Sequence, residues 1–415
     1  MHGKTEVLRS VISQGIVKEF YIVNNYKIYL IGISVTFCYS SYIYLFSALL
    51  QTWETELNVS RNNLTFAYSL GLMIHSLLLP YLGKLVDRNY SFIMMWLSPL
   101  LMGFSVIYLA FANTYYEFVI AWLLVSATSG GCLYTMIFSV LTINLKNNPK
   151  NSIAIITLIA GLASTYTFPT ATYLTESFNW RTTVLIFGIV NVLVSAPANY
   201  FGFKKIINQE KNFNSNTKAE KQANIYYNPK FWLLCFPLFV IGFNTGAIIT
   251  HIIPMMQEKN MSLTMAVLIA SLFGPGQIIG RILIMTYGHN KSNISLFVVC
   301  FYSFLIGITF LYFVNISFYL AFLFILFNSA AFGSMAILKP LVQNDIFGKM
   351  NFGNIHGILA ICFMSGSIAG PWIGSLIWSV GGYNLLIILF FILAVLGNIS
   401  ALMLKKYKTK ARLKK

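Results

Sequence analysis

The side chains able to do chemistry in this sequence are few, and the most telling is Arg281, which stands inside a long apolar run. It lies about seven residues past the middle of that run, roughly 10 Å from the centre at the helical rise of 1.5 Å per residue. A guanidinium at that depth in a bilayer is costly unless it faces protein or a water-filled cavity. Its planar fork of donors matches a carboxylate bidentately, which would make it an anion anchor. Snorkelling to the headgroups and structural pairing are the alternatives. The acids are Glu6, Glu19, Glu54, Glu56, Asp87, Glu117, Glu176, Glu210, Glu220, Glu258 and Asp345. All fall in loops or at the ends of apolar runs. Arg281 therefore has no obvious deep counter-ion, and an anionic ligand would supply one. The same pattern argues against a site for organic cations, which needs a deep carboxylate.

His75, His251 and His356 lie within or at the start of apolar runs. A single buried histidine commonly serves as a hydrogen-bonded structural group. His251 is the best candidate for more, because Asn244 and Thr250 share its run and an imidazole of unperturbed pKa about 6.5 can carry a coupled proton. Tyr39, Tyr42 and Tyr44 share the first run, Tyr134 is in the fourth and Tyr166 in the fifth. Tyrosines at the ends of runs anchor to the membrane interface. Tyr39 is in mid-run, where its hydroxyl needs a partner. Lys339 is read as a basic anchor ending the tenth run. The candidate ligand-binding set is thus Arg281, His251, Tyr39, Tyr42, Asn244, Tyr134 and Gln277. Five cysteines, Cys38, Cys132, Cys235, Cys300 and Cys362, sit inside apolar runs without metal or disulfide spacing. No His/Asp/Glu cluster has metal spacing and no nucleophile has a base at a motif distance, so no enzyme, metal or cofactor is expected.

The elements that must position these groups are membrane spans. Of 415 residues, 57% are hydrophobic and only 9% charged, against about 25% charged in a soluble domain. Twelve apolar runs cover 27–50, 61–82, 91–112, 116–143, 151–174, 181–203, 230–256, 263–286, 293–314, 317–340, 354–379 and 383–404. Each suits a bilayer crossing of about 20 residues. They are continuous rather than alternating, so they are helices rather than barrel strands. Pro169, Pro254, Pro275 and Pro371 are expected to kink them, and small-residue runs at 126–131 and 161–167 to let helices approach closely.

The net charge of +17 is explained by topology rather than by nucleic acid. With the N-terminus in the cytoplasm, all Lys and Arg fall on the cytoplasmic side except Arg61, Arg181, Lys259 and Arg281. That bias places both termini inside and attracts anionic headgroups. The first 26 residues lack the apolar core of a cleaved signal peptide, so the first span is expected to serve as the insertion signal.

An internal repeat appears at an offset of about 203. Lys27 lies over Lys230, Gly83 over Thr286, Trp180 over Tyr383, and Gly131 near Gly333. Two six-helix halves follow, 1–203 and 230–415, joined by a polar linker at 204–229. Between the second and third spans a loop reads Gly83-Lys-Leu-Val-Asp87-Arg88. This Gly-x-Leu-x-Asp-Arg pattern resembles the signature loop of the major facilitator superfamily of transporters, and Phe178-Asn179-Trp180-Arg181 is similar to an element before the sixth helix of many members. The stretch Asn244-Thr-Gly-Ala-Ile-Ile-Thr-His251-Ile-Ile-Pro254 and the pair Gly280-Arg281 look like the monocarboxylate-transporter and oxalate/formate-antiporter branch. Gln277 stands where symporters of that branch often carry Asp.

The resemblance implies an all-α membrane protein of twelve helices, with a substrate site between the halves near the midplane. It also implies gating by Gly83, Asp87 and Arg88. The expected function is secondary transport of a small organic anion, such as a carboxylate, by alternating access. The partners are the bilayer, the small-molecule substrate and a co-transported proton, and the chain is expected to be a monomer. An exporter of neutral or amphipathic compounds is the competing reading, followed by a non-transporting receptor and a membrane transferase.

Overall fold

The computed structural model describes residues 26–87, 90–145, 149–204, 206–207, 227–288, 291–348 and 352–413, with backbone alone at 87, 150, 352–354 and 408–413. Every long element among them is helical, as backbone satisfaction in lipid demands. The helices are α1 Tyr26–Glu56, α2 Arg61–Val86, α3 Ser91–Leu109, α4 Tyr115–Asn144, α5 Asn151–Ser177, α6 Trp180–Phe203, α7 Pro229–Glu258, α8 Leu263–Tyr287, α9 Asn293–Tyr312 and α10 Tyr319–Phe347.

A final helical stretch, Phe352–Leu413, is too long for one crossing. It breaks at Gly381 (φ −146°, ψ 22°) and Gly382 (φ +66°, ψ −174°). The second pair of angles is open in practice to glycine alone. The break yields α11 (352–380) and α12 (383–413), which completes twelve spans among the described residues. Tyr383 is thus the first residue of α12, as Trp180 is of α6, and both are buried. Ahead of Trp180, the Asn179 side chain accepts from Thr182 N at 2.8 Å and caps α6. Arg181 donates to the Ala110 and Ala112 carbonyls, both at 2.8 Å, and ties down the α3–α4 turn.

Consecutive spans alternate in direction. The α1–α2, α3–α4, α5–α6, α7–α8, α9–α10 and α11–α12 turns share one end of the bundle, the first face; the start of α1 and the α2–α3 turn are at the opposite, second face. Within the first six helices α1 packs on α5 and α6, and α4 on α2 and α3. Within the last six, α7 packs on the α11–α12 stretch and α10 on α8 and α9. Among the described residues the main pairings that join the groups are α2 with α11, α5 with α8, and α1 with α7. Their hydrogen bonds include Thr65 to Ser375 at 2.7 Å, Thr165 Oγ1 donating to the Ser271 carbonyl at 3.0 Å, and Ser47 donating to the Ile249 carbonyl. All three lie in the half of the bundle nearer the first face.

Two expectations need correction. The segment from Gly83 is not a loop: the helix of α2 continues to Asp87, because Val86 still buries itself among Ile28, Met94 and Val140. Lys339 does not end α10, which runs on to Phe347. Its ammonium instead lies 3.2 Å over the Phe363 ring of α11, a cation–π contact that suits a desolvated cation.

Candidate functional site

Gly280 determines where Arg281 points. A Cβ on Gly280 would meet the Ala330 carbonyl oxygen at 2.0 Å, so this face of α8 lies directly against α10. The next residue, about 100° further round the helix, is turned towards the first group of helices. Arg281 is there only 6% exposed. Its Nη1 donates to the Thr157 carbonyl of α5 at 2.6 Å and its Nη2 to Gln277 Oε1 at 3.3 Å, while its Nε has no partner. These neutral oxygens orient the guanidinium without neutralising it. Arg61 forms an ion pair with Glu54, whereas no ion pair is seen at Arg281 among the described residues.

Tyrosines complete the surroundings. Tyr134 of α4 is within interaction range of the guanidinium, and Tyr39 and Tyr44 of α1 lie in its field. The Tyr39 and Tyr134 rings are 4.6 Å apart, Tyr134 stacks on Phe138 at 4.9 Å, and Tyr44 meets Phe168 edge-on at 5.7 Å. The structure therefore brings together four of the expected residues, Arg281, Gln277, Tyr39 and Tyr134, from α1, α4 and α8.

Tyr44 joins them because residues Ser40–Tyr44 form a π turn. A wider turn puts residues five apart on one face, so Tyr39 and Tyr44 align. The same turn directs Tyr42 the other way. It packs within the first six helices against His75 (5.6 Å) and Trp122 (6.4 Å), and His75 Nδ1 is held 2.8 Å from Ser129 Oγ. Asn191 Nδ2, from a matching π turn in α6, donates to Ser41 Oγ at 2.7 Å and fixes the distortion.

Tyr42, Asn244 and His251 are not brought to Arg281. Asn244 faces α12 and donates to the Phe390 carbonyl at 3.3 Å. His251 is fully buried nearer the first face, with Nδ1 3.1 Å from Tyr383 Oη and Nε2 2.9 Å from the Pro371 carbonyl. There it belongs to a second polar cluster that the sequence reading missed. Arg61 donates from Nη2 and Nε to the one oxygen Glu54 Oε2 (2.8 and 3.0 Å), donates from Nη1 to Tyr383 Oη at 3.0 Å, and lies 3.9 Å over the Trp378 ring. Glu258 accepts from Trp378 Nε1 at 2.8 Å and from Tyr383 N at 2.7 Å. The available signal was a buried-type pairing of Glu54 with Arg61 across a short turn, but its aromatic partners are far away in sequence.

Of the gating residues, Gly83 borders open space, with nothing within 4 Å of where a Cβ would stand. Arg88 and the side chain of Asp87 lie outside the described residues. His356, on α11 at the second face, has its Nδ1 2.7 Å from Gln343 Oε1 of α10.

A twelve-span bundle with a charged residue buried between two groups of helices defines a multi-pass membrane protein of the secondary-transporter class. The family model described as Major Facilitator Superfamily matches residues 31–344, and the chain belongs to that superfamily. Its family and fold are those of transporters rather than enzymes. No curated protein sequence matches the chain. A crystal structure of a bacterial homologue of the human lysosomal transporter Spinster, inward-facing and occupied, is similar with a TM-score of 0.68 at 11% identity, over 92% of this chain and 96% of that one. The same homologue, inward-facing and unoccupied, gives 0.69 at 12% identity, over 93% and 97%.

Proposed function

We propose that the protein carries a small organic anion, with a carboxylate as the favoured class, by alternating access of two six-helix halves, 1–203 and 230–415. The observation that carries this reading is the buried Arg281 guanidinium, bonded only to neutral oxygens and bordered by tyrosines of the other half. A buried charge without a partner is costly, and a bound anion would offset that cost. Arg281 and Gln277 would take the carboxylate, and Tyr39, Tyr44 and Tyr134 would enclose the remainder. The motif at Gly280-Arg281 supports the branch resembling monocarboxylate transporters and oxalate/formate antiporters.

The basic residues favour a cytoplasmic second face and cytoplasmic termini. The first face then looks outward. Apart from the Arg281–Thr157 bond, the hydrogen bonds between the halves gather towards it, which fits an inward-facing state like that of the two Spinster-homologue structures. One such bundle contains the whole site, so a monomer would suffice. His251 stands apart from Arg281 and would serve proton coupling rather than anion contact.

The test is counterflow of a labelled carboxylate in proteoliposomes, after thermal-shift screening of carboxylates to choose the substrate. A ligand at 100 times its dissociation constant adds about 2.7 kcal/mol to stability, which makes the screen sensitive. Arg281→Gln should abolish counterflow while the protein remains monodisperse. Wild-type rates in that variant would remove the anchor role and promote an exporter of neutral or amphipathic compounds.

A further inference from the structure

The cluster around Arg61 joins the two halves through the Tyr383 hydroxyl and through the guanidinium's contact with the Trp378 ring. Arg61 and Glu54 belong to the first six helices, whereas Tyr383, Trp378, His251 and Glu258 belong to the last six. Tyr383 Oη stands between Arg61 Nη1 at 3.0 Å and His251 Nδ1 at 3.1 Å. The donors can be assigned from chemistry alone. The Pro371 carbonyl, 2.9 Å from His251 Nε2, can only accept, so Nε2 carries a proton. Arg61 can only donate, so Tyr383 Oη accepts from it. The single hydroxyl proton of Tyr383 then goes to His251 Nδ1, which must be unprotonated to receive it. Each group is satisfied only while the imidazole is neutral.

We infer that His251 is a proton-binding site that controls closure of the first face, with the Arg61–Tyr383 contact as the latch. A proton arriving at Nδ1 turns that nitrogen from acceptor to donor. Tyr383 Oη would then meet two cationic donors, and its own hydroxyl proton would have no acceptor. A buried hydroxyl stripped of its acceptor destabilises the closed arrangement, and Arg61 and the imidazolium would repel each other in addition. Separation of α2 from α12 relieves both. The neighbouring bond between Thr65 and Ser375 and the edge-on contact of Phe66 with Trp372 at 5.0 Å lie on the same α2–α11 seam and would part with it.

The charged and titratable groups around His251 fit this role. Glu54 is occupied by Arg61, and Glu258 by Trp378 Nε1 and Tyr383 N. Lys259, whose ammonium burial holds below its usual pKa, donates to Asn384. Neither carboxylate hydrogen-bonds the imidazole, so an added proton is not neutralised in place and its effect passes to Tyr383. This inference rests on the alternating-access reading but not on the anion or on Arg281.

The test uses the full chain in lipid nanodiscs with spin labels at Asn63→Cys on α2 and Val380→Cys on α11, both exposed at the first face. Cys362, the free cysteine that is not buried, is replaced by Ser. Lowering the pH from 8 to 5 should move the label pair from a single short distance to a mixture dominated by a longer one. His251→Gln should hold the short distance at both pH values, and Tyr383→Phe should populate the long distance at both. His251→Asn serves as a second neutral variant should the first not be monodisperse. A wild-type pH response that persists in both His251 variants, or a wild-type distance that ignores pH, overturns the proposal. Arg281→Gln should keep the full pH response, so failure of the anion assay and failure of the latch are separately visible.

Discussion

Tyr39 of α1 stands against Tyr134 of α4 with ring centroids 4.6 Å apart, and both lie in the field of Arg281 on α8. One residue of the pair is thus turned towards the guanidinium from each of two helices in the opposite half. This arrangement separates tyrosines that would touch a bound anion from those that only fill the core.

Tyr134→Phe should therefore raise the KM for the anion about tenfold, whereas Tyr42→Phe should leave it unchanged. The estimate takes about 1.5 kcal/mol for a hydrogen bond to a charged group and 1.4 kcal/mol per tenfold in affinity. Initial-rate uptake with both variants at matched protein content decides. Equal KM values for the two would remove Tyr134 from the site.

The basis of that contrast was only half legible in the sequence. Twelve long apolar runs left no alternative to a helical bundle, and the gap between the runs 354–379 and 383–404 marked the last turn. Arg281 was legible as well, since a deep arginine in a chain without deep acids stands out on composition. The π turn at Ser40–Tyr44 was not. Periodicity assumes 3.6 residues per turn, which groups Tyr39 with Tyr42; the wider turn groups it with Tyr44 instead. The latch was hidden for another reason: Arg61 and Tyr383 are 322 residues apart, and no local pattern connects them. The run of Gly83 to Asp87 was read as a loop from its charges, while its Leu85 and Val86 continue the helix.

Arg281→Lys keeps a positive charge but loses the fork that holds Thr157 and Gln277 together. The expected outcome is a raised KM with kcat largely retained, in contrast to the inactive Gln variant. A Lys variant as dead as Gln would mean that geometry rather than charge carries binding. A Lys variant equal to wild type would mean that a point charge suffices.

The helix begun at Arg61 ends with Asp87 at the second face, and in the outward-open state we expect Asp87 to approach the start of α11. A carboxylate at a helix N-terminus gains about 0.3–1 kcal/mol from the helix dipole, so we expect it to hold that face shut in the outward-open state. Asp87→Asn should then shift the population towards the state open at the second face, by up to about fivefold for 1 kcal/mol. Labelling rates of single cysteines placed at the two faces report the ratio. An unchanged ratio would refute this gating role.

Gly382 should be the least replaceable glycine at the first face. Its angles, φ +66° and ψ −174°, are strained by about 1–3 kcal/mol for any other residue. An added Cβ would also stand 2.9 Å from Glu258 Oε1, the oxygen that accepts from Tyr383 N. Gly382→Ala is thus expected to lower the temperature of thermal inactivation in detergent and to loosen the start of α12. Gly83→Ala is the matched control, because its Cβ would enter open space within a helix; the stability of that variant should equal or slightly exceed wild type. Equal thermal stability in both variants would show that the α11–α12 turn adapts without glycine, and that Tyr383 does not depend on it for its position between Arg61 and His251.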